Sequence, residues 1–242
     1  MSKIKAFIIH LERAKDRQAQ VEALIASLPF TGETTAAIDA NALNQSVIDS
    51  HYKAKIHQPF YPFTLSRTEI ACFLSHRKAW QEIVDQDING AFIFEDDVTL
   101  TKDFELSFAT ALPFMNDDTY IRFPFRERET GKILAQNQNH RLIEPCPVGL
   151  GQVAQYIGRN CAQKLLDATM QFDRPVDTTI QMFWLTNVRP LSILPGGVSE
   201  ISASLGGSTV QKKPRFLDKL RREILRPLYR KRIARLSRQR SL

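Results

Sequence analysis

The spacing of apolar residues along the chain switches repeatedly between a helical and an extended period. Residues 4–9 read as a short strand. Residues 14–28 follow as a helix whose Val21, Leu24, Ile25 and Leu28 share one face. Ala36-Ala37-Ile38-Asp39 reads as a second strand ending on a carboxylate, and 41–64 as a loop in which Pro59 and Pro62 stand among aromatic residues. Thr68 to Asp87 predicts a long helix with Ile70, Phe73, Leu74, Trp80, Ile83 and Val84 on a broad buried face, closed by Asn89-Gly90. Ala91-Phe92-Ile93-Phe94 is a short buried strand. A helix over 103–111, a strand at 119–123, a hairpin around Thr130-Gly131, a strand near 153–157, a helix over 160–171 and a short helix from Asp177 complete the pattern. Helices interleaved with strands in this way predict an α/β sandwich with a mainly parallel sheet, which binds its ligands at the carboxyl ends of the strands. His10, Asp39 and Glu95–Asp97 all fall at such ends, so they are expected to line one cleft.

The chemistry concentrates where the 91–94 strand stops, at Glu95-Asp96-Asp97. Three adjacent carboxylates repel one another and lose hydration, and a divalent cation relieves both costs. Oxygen-only ligands favour a hard ion, Mg²⁺ or Mn²⁺, which recruits substrate phosphates as further ligands. A solvated acidic loop capping the following helix is the alternative.

Composition changes this picture only at the C-terminus. Of 33 basic and 26 acidic residues, 13 and 2 fall in Gln211–Leu242, which leaves 20 and 24 for the rest. A mildly acidic body, residues 1–210, thus precedes a strongly basic segment, 211–242, with Gly206-Gly207-Ser208-Thr209 as a candidate linker. In that segment Phe216, Leu217, Leu220, Ile224, Leu225 and Leu228 recur at helical spacing among Lys and Arg, with Pro227 interrupting or kinking the helix. A basic amphipathic helix suits an anionic membrane surface; a nucleic-acid-binding arm and a solvated tail are the competing readings, and the acidic body argues against nucleic acid. No apolar run approaches the ~20 residues of a membrane span. The 3–10 segment reads as a strand and not as a secretory signal. Cys72, Cys146 and Cys161 form an odd, widely spaced set, which points to a reducing compartment and to neither a disulfide framework nor a structural zinc. The expected location is cytoplasmic, peripheral on the cytoplasmic face of the inner membrane.

Leu65-Ser66-Arg67-Thr68-Glu69-Ile70-Ala71-Cys72-Phe73-Leu74-Ser75-His76, then Trp80, then Ala91-Phe92-Ile93-Phe94-Glu95-Asp96-Asp97-Val98, resembles the family 25 glycosyltransferases of lipopolysaccharide and lipooligosaccharide synthesis. Ile8-Ile9-His10-Leu11-Glu12-Arg13 with Arg17, Gly151-Gln152-Val153-Ala154 and Pro175-Val176-Asp177 fit the same family, so the resemblance covers residues 4 to 205. It implies a GT-A-type, Rossmann-like nucleotide-sugar fold, UDP-galactose as the usual donor and inversion to a β-linkage. The acceptor expected on that basis is lipopolysaccharide, lipooligosaccharide or a related oligosaccharide, free or lipid-linked.

Sugar transfer from a nucleotide diphosphate creates an anionic leaving group and an oxocarbenium-like sugar, and a metal bridging the diphosphate stabilises the former. Glu95 and Asp97 form the Asp-x-Asp-like pair, Asp97 being the first choice as metal ligand, while Asp96 points elsewhere unless a turn returns it to nucleotide or metal. Asp39 resembles the family's nucleotide-contacting position, for ribose or uracil; a helix N-cap is the other reading. Arg13 and Arg17 share one helix face and can hold phosphate or simply face solvent. His10 stands where the family more often has Asn. Glu69, Ser75 and His76 lie on roughly one side of a helix, fit to orient nucleotide or acceptor, or to brace the helix against the metal strand. Ser75 and His76 are adjacent and diverge by about 100°, which excludes a Ser–His nucleophile. Inverting transfer needs a general base, for which Asp177 is the candidate, with helix capping as its alternative, and Glu200 a weaker one. One departure concerns the C-terminal His that many GT-A enzymes use as a metal ligand: the last histidine here is His140. A metal-dependent phosphotransferase or hydrolase would use the same carboxylates, but the chain has no phosphate-binding Gly-x-x-x-x-Gly-Lys-Ser/Thr loop. A nucleic-acid-binding protein acting through the tail would leave Glu95–Asp97 unexplained.

Overall fold

Three parallel strands, β1 (Lys5–His10), β2 (Thr31–Ala36) and β3 (Gly90–Glu95), open the fold, with β1 between the other two. Alternation along β1 and β3 divides their apolar residues between two cores. Phe7, Ile9, Ala91 and Ile93 face one side, and Ala6, Ile8, Phe92 and Phe94 the other. Both faces are therefore covered, which is why these strands read as continuous apolar runs.

The computed structural model describes residues 4–201 and 216–240, the side chains of 216–222 excepted; the Gly206–Thr209 linker and Phe216, Leu217 and Leu220 side chains lie outside what is described. The remaining strands are β4 (Val98–Leu100), β5 (Tyr120–Arg122), β6 (Gly131–Asn137), β7 (His140–Pro145), β8 (Ala154–Gly158), β9 (Leu191–Leu194) and β10 (Val198–Glu200). Eight of them form one sheet in the order β2-β1-β3-β8-β5-β9-β7-β6, and β4 pairs separately with β10. Only β7 and β8 run against the other six, so the sheet is mixed but mostly of one direction.

The helices are α1 (Gln18–Ser27), α2 (Gln45–His51), α3 (Arg67–Asp85), α4 (Phe104–Ala111), α5 (Arg159–Ala168), α6 (Val176–Ile180), α7 (Phe183–Thr186) and α8 (Phe216–Arg240). Residues of α3 and α5 pack on one face of the sheet, and residues of α1 and α4 on the other. A capping box starts α3: the Ser66 hydroxyl accepts from the Glu69 N–H, and the Glu69 carboxylate accepts from the Ser66 N–H.

Several boundaries differ from the sequence pattern. The second strand is Thr31–Ala36, not 36–39, because an edge strand of Thr and Glu carries no apolar run. Asp39 consequently sits in the loop beyond it. Helix α2 falls inside the expected loop, started by the Asn44 side chain accepting from the Val47 N–H at 2.9 Å; it buries only Ile48, too little to set a period. The hairpin turn is at Gln138–Asn139, not Thr130-Gly131. Gly131 instead opens β6, where an added Cβ would lie 1.9 Å from the Glu144 carbonyl oxygen. Its missing side chain permits strand approach rather than a turn.

The basic C-terminal helix lies against the body. Tyr229, Ile233 and Ser237, each one turn apart, are buried, and Tyr229 and Ile233 cluster with Met182, Tyr61 and Trp184. Ile224 and Leu228, part of the expected apolar face, are 56% and 58% exposed. α8 runs on through Pro227. No helix among the described residues is long and apolar enough to cross a membrane.

Candidate active site

Strand β3 delivers its last residue, Glu95, to the edge of a cleft, held by the Glu95 N–H donating to the Val153 carbonyl at 2.9 Å. The chain then turns through Asp96 and Asp97 into β4. Pairing of β4 with β10, extended by the Ile201 N–H donating to the Asp97 carbonyl at 2.8 Å, sets Glu200 across from this turn.

The three adjacent carboxylates have different surroundings. Asp96 turns back into the protein, where His10 Nδ1 lies 3.0 Å from Oδ2 and Arg17 Nη1 donates to Oδ1 at 2.5 Å. Both partners are buried, so the arginine that sequence leaves open between phosphate and solvent is committed to Asp96. Asp97 receives less compensation. Arg17 Nη1 is 3.7 Å from its Oδ2, and its buried Oδ1 has no hydrogen-bond partner among the described residues. Burial first, and then the charge of Glu95, push the Asp97 carboxyl up to about 7; Arg17 opposes this, and Asp96 and Glu200 add to it. Glu95 meets His76, whose Nε2 is 3.2 Å from Oε1.

Helix α3 places Cys72 one turn before His76, and their donor atoms lie with Glu95 within 4.8 Å of one another. The Cys72 thiol is driven well above its ordinary pKa by burial and by the carboxylates around it, so it stands as a protonated thiol. Asp97 and Glu200 line the same cavity as this cluster, Asp97 with a buried Oδ1 that has no hydrogen-bond partner among the described residues, and carboxylate oxygens of this kind suit a hard divalent cation.

Two adjoining cavities share Cys72, Glu95 and Glu200. The first, ≈ 220 Å³, is lined by Arg13, Arg17, Ser75, His76 and the Glu95–Asp97 turn. The second, ≈ 460 Å³, has Glu69, Gln152 and Asp177 on its wall, together with residues of α8. Most of the residues expected from sequence are thus brought together. Two are placed differently. His10 lies behind Asp96 and lines neither cavity. Asp39 lines a separate shallow hollow of ≈ 780 Å³ that shares Arg13 with the first cavity. His140, the last histidine of the chain, stands in β7 and lines neither cavity.

Asp39 accepts from Arg13 Nε at 2.7 Å and from the Asn41 N–H at 2.9 Å; the second of these, then the guanidinium, hold its carboxyl below the usual range. Its bond is to a turn N–H, not to a helix N-terminus. The Ser75 hydroxyl donates to the Ala71 carbonyl and accepts from the Ile38 N–H, both at 2.8 Å, which ties α3 to the loop after β2. Glu69 is committed to the capping box of α3. Asp177 lies in the first turn of α6, yet it reaches across the cleft: Oδ2 accepts from the Gly151 N–H at 3.1 Å and Oδ1 from the Thr178 hydroxyl at 3.2 Å. Sequence reading passed over Tyr61, Arg126, Arg226 and Arg230, which complete the second cavity. Only tertiary packing assembles them.

These features define a Rossmann-like α/β protein whose strand ends carry a carboxylate turn at a cleft. The profile of "Glycosyltransferase family 25 (LPS biosynthesis protein)" matches residues 3–180, and the chain belongs to that family. It is 30% identical over 102 residues to human procollagen galactosyltransferase 2, which covers 41% of this chain and 16% of that protein. It is 31% identical over 103 residues to human inactive glycosyltransferase 25 family member 3, covering 41% and 17%. Against zebrafish (Danio rerio) procollagen galactosyltransferase 1 the identity is 29% over 97 residues, covering 39% and 16%. The chain thus matches less than a fifth of the length of these curated relatives.

Proposed function

We propose that this protein is an inverting, GT-A-type hexosyltransferase that moves galactose from UDP-galactose to a lipopolysaccharide, lipooligosaccharide or related oligosaccharide acceptor with the help of Mn²⁺ or Mg²⁺. The observation that carries the reading is the buried, partnerless Oδ1 of Asp97 amid Glu95 and Glu200. The family description supports the acceptor class, and relatives named as galactosyltransferases support the sugar.

Glu95 and Asp97, with Glu200 beside them, would hold the cation, which would supply Lewis-acid stabilisation of the diphosphate leaving group. Asp96, fixed by His10 and Arg17, sets the turn that aims its two neighbours into the cleft. Arg13 and Asp39, paired at the rim, meet the nucleoside. His76 holds Glu95 in place from α3. In the second cavity Asp177 takes the proton of the acceptor hydroxyl as its oxygen bonds to the anomeric carbon and the bond from that carbon to the diphosphate breaks. The bonds from Gly151 and Thr178 fix the carboxylate for this role. Glu200, crowded by Glu95 and Asp97, serves the cation side first. On the outer face of α8, exposed Ile224 and Leu228 among Arg and Lys residues suit an anionic membrane surface, in keeping with a cytoplasmic, membrane-peripheral enzyme.

The test is a screen of UDP-sugars with and without Mn²⁺, read by mass spectrometry of the products. UDP-galactose should be the sugar nucleotide hydrolysed fastest, and only with the metal.

A further inference from the structure

The second cavity changes charge along its length. One end carries Glu95 and Glu200, shared with the first cavity; the other carries Arg126 and Arg230, shared with a further groove of ≈ 490 Å³ that adds Arg128 and Lys231. Arg226 lines the same wall from α8. Four arginines elsewhere are paired with carboxylates: Arg122 with Glu129, Arg159 with Asp87, Arg174 with Asp173 and Arg189 with Glu144. Arg126, Arg226 and Arg230 have no carboxylate within ion-pair distance among the described residues, and all three are exposed. The guanidiniums of Arg126 and Arg226 lie 4.6 Å from the Phe125 ring centroid and 5.7 Å from that of Phe63. A guanidinium over an aromatic ring still has N–H donors to offer an anion.

We propose that this cavity is the acceptor subsite, and that Arg126, Arg226 and Arg230 bind an anionic substituent, phosphate or carboxylate, on the acceptor saccharide. The proposal rests on the transferase reading given above. The acceptor hydroxyl lies at the Asp177 end, the rings of Tyr61, Phe63 and Phe125 offer apolar faces to the sugar, and the acidic group reaches the arginines. A guanidinium fork matches the paired oxygens of phosphate or carboxylate. The basic C-terminal helix is then a wall of the site that selects the acceptor, held there by the Arg174 Nη1 donating to the Tyr229 hydroxyl at 2.6 Å.

Glucose, glucose 6-phosphate and glucuronic acid form a matched neutral, phosphate and carboxylate set. Each is titrated by ligand-observed NMR into the full chain, with saturating UDP and Mn²⁺ occupying the donor side. The intact protein should prefer one or both acidic sugars over glucose by roughly tenfold, the worth of a charge-assisted bond. The arm that binds tells phosphate from carboxylate. R226Q/R230Q should reduce the preference to less than about twofold, R226K/R230K should keep part of it, and added salt should weaken it. The proposal is overturned if the intact protein shows no preference, or if R226Q/R230Q retains it. It is equally overturned if UDP affinity falls with the arginines, which would make them donor ligands. Acid preference without hydrolysis of any UDP-sugar would instead sink the transferase reading and leave the anion site standing.

Discussion

Arg174 and Tyr229 join the two compositionally distinct parts of this chain, the Arg174 guanidinium donating to the Tyr229 hydroxyl at 2.6 Å. Arg174 is 1% exposed and holds Asp173 and the His57 carbonyl at the same time. Tyr229→Phe keeps the ring in its pocket and removes one acceptor from a buried cation, at a cost of about 1–3 kcal/mol. Limited proteolysis should then cut α8 faster than in the intact protein while urea unfolding of the body changes less. Unchanged cleavage of α8 would show that the bond does not hold the helix.

Asp96 and Asp97 are neighbours with opposite consequences for stability. Asp96→Asn leaves Arg17 buried without a full counter-charge, and breaking such a pair costs about 3–5 kcal/mol. Asp97→Asn relieves repulsion and should leave the metal-free protein as stable or more so. Urea unfolding of both variants checks the contrast, and equal losses would contradict it.

The Asp97 carboxyl, raised from 3.8 to about 7, links stability to pH. The folded protein binds this proton more tightly than the unfolded chain. The contribution is therefore fully present below about pH 4 and is lost as pH rises through about 7. Metal-free protein should lose thermal stability over that window relative to Asp97→Asn, in which the dependence flattens. Mn²⁺ competes with the same proton, so its apparent affinity should fall as pH drops below about 7. Parallel melting curves across pH 4–9 for the two proteins would contradict the assignment.

Asp177→Asn should abolish transfer and leave UDP and Mn²⁺ binding within a few-fold, because the base acts on the acceptor hydroxyl. The Asn amide also retains an oxygen for the Gly151 N–H, so folding should persist. A parallel fall in nucleotide binding would move Asp177 to the donor side and pass the role of base to Glu200.

The parts of this molecule legible in sequence are those where one local pattern decides the outcome. Strand β3 is apolar throughout because both its faces are covered, and α3 has a broad apolar face behind a Ser66/Glu69 capping box. The carboxylate turn was visible because like charges in series need a partner. What stayed hidden depends on partners remote in sequence. Strand β2 is an edge of Thr and Glu without an apolar run, and the buried face of α8 is set by Met182, Tyr61 and Trp184. Spacing picks out Ile224 and Leu228, which face outward, and not Tyr229 and Ile233, which pack on the body. The different environments of Asp96 and Asp97 follow from His10 and Arg17, and the arginines of the outer cavity come from two elements that only folding brings together.

The central claim, that the Asp97 cluster serves metal-assisted sugar transfer, is tested most directly by the rate of UDP release from UDP-galactose with Mn²⁺ in the intact protein and in Asp97→Asn. The account predicts release that stops on chelation and falls by at least about two orders of magnitude in the variant, the scale of losing a key electrostatic stabiliser. Equal rates in the two proteins, or release indifferent to chelation, would contradict it.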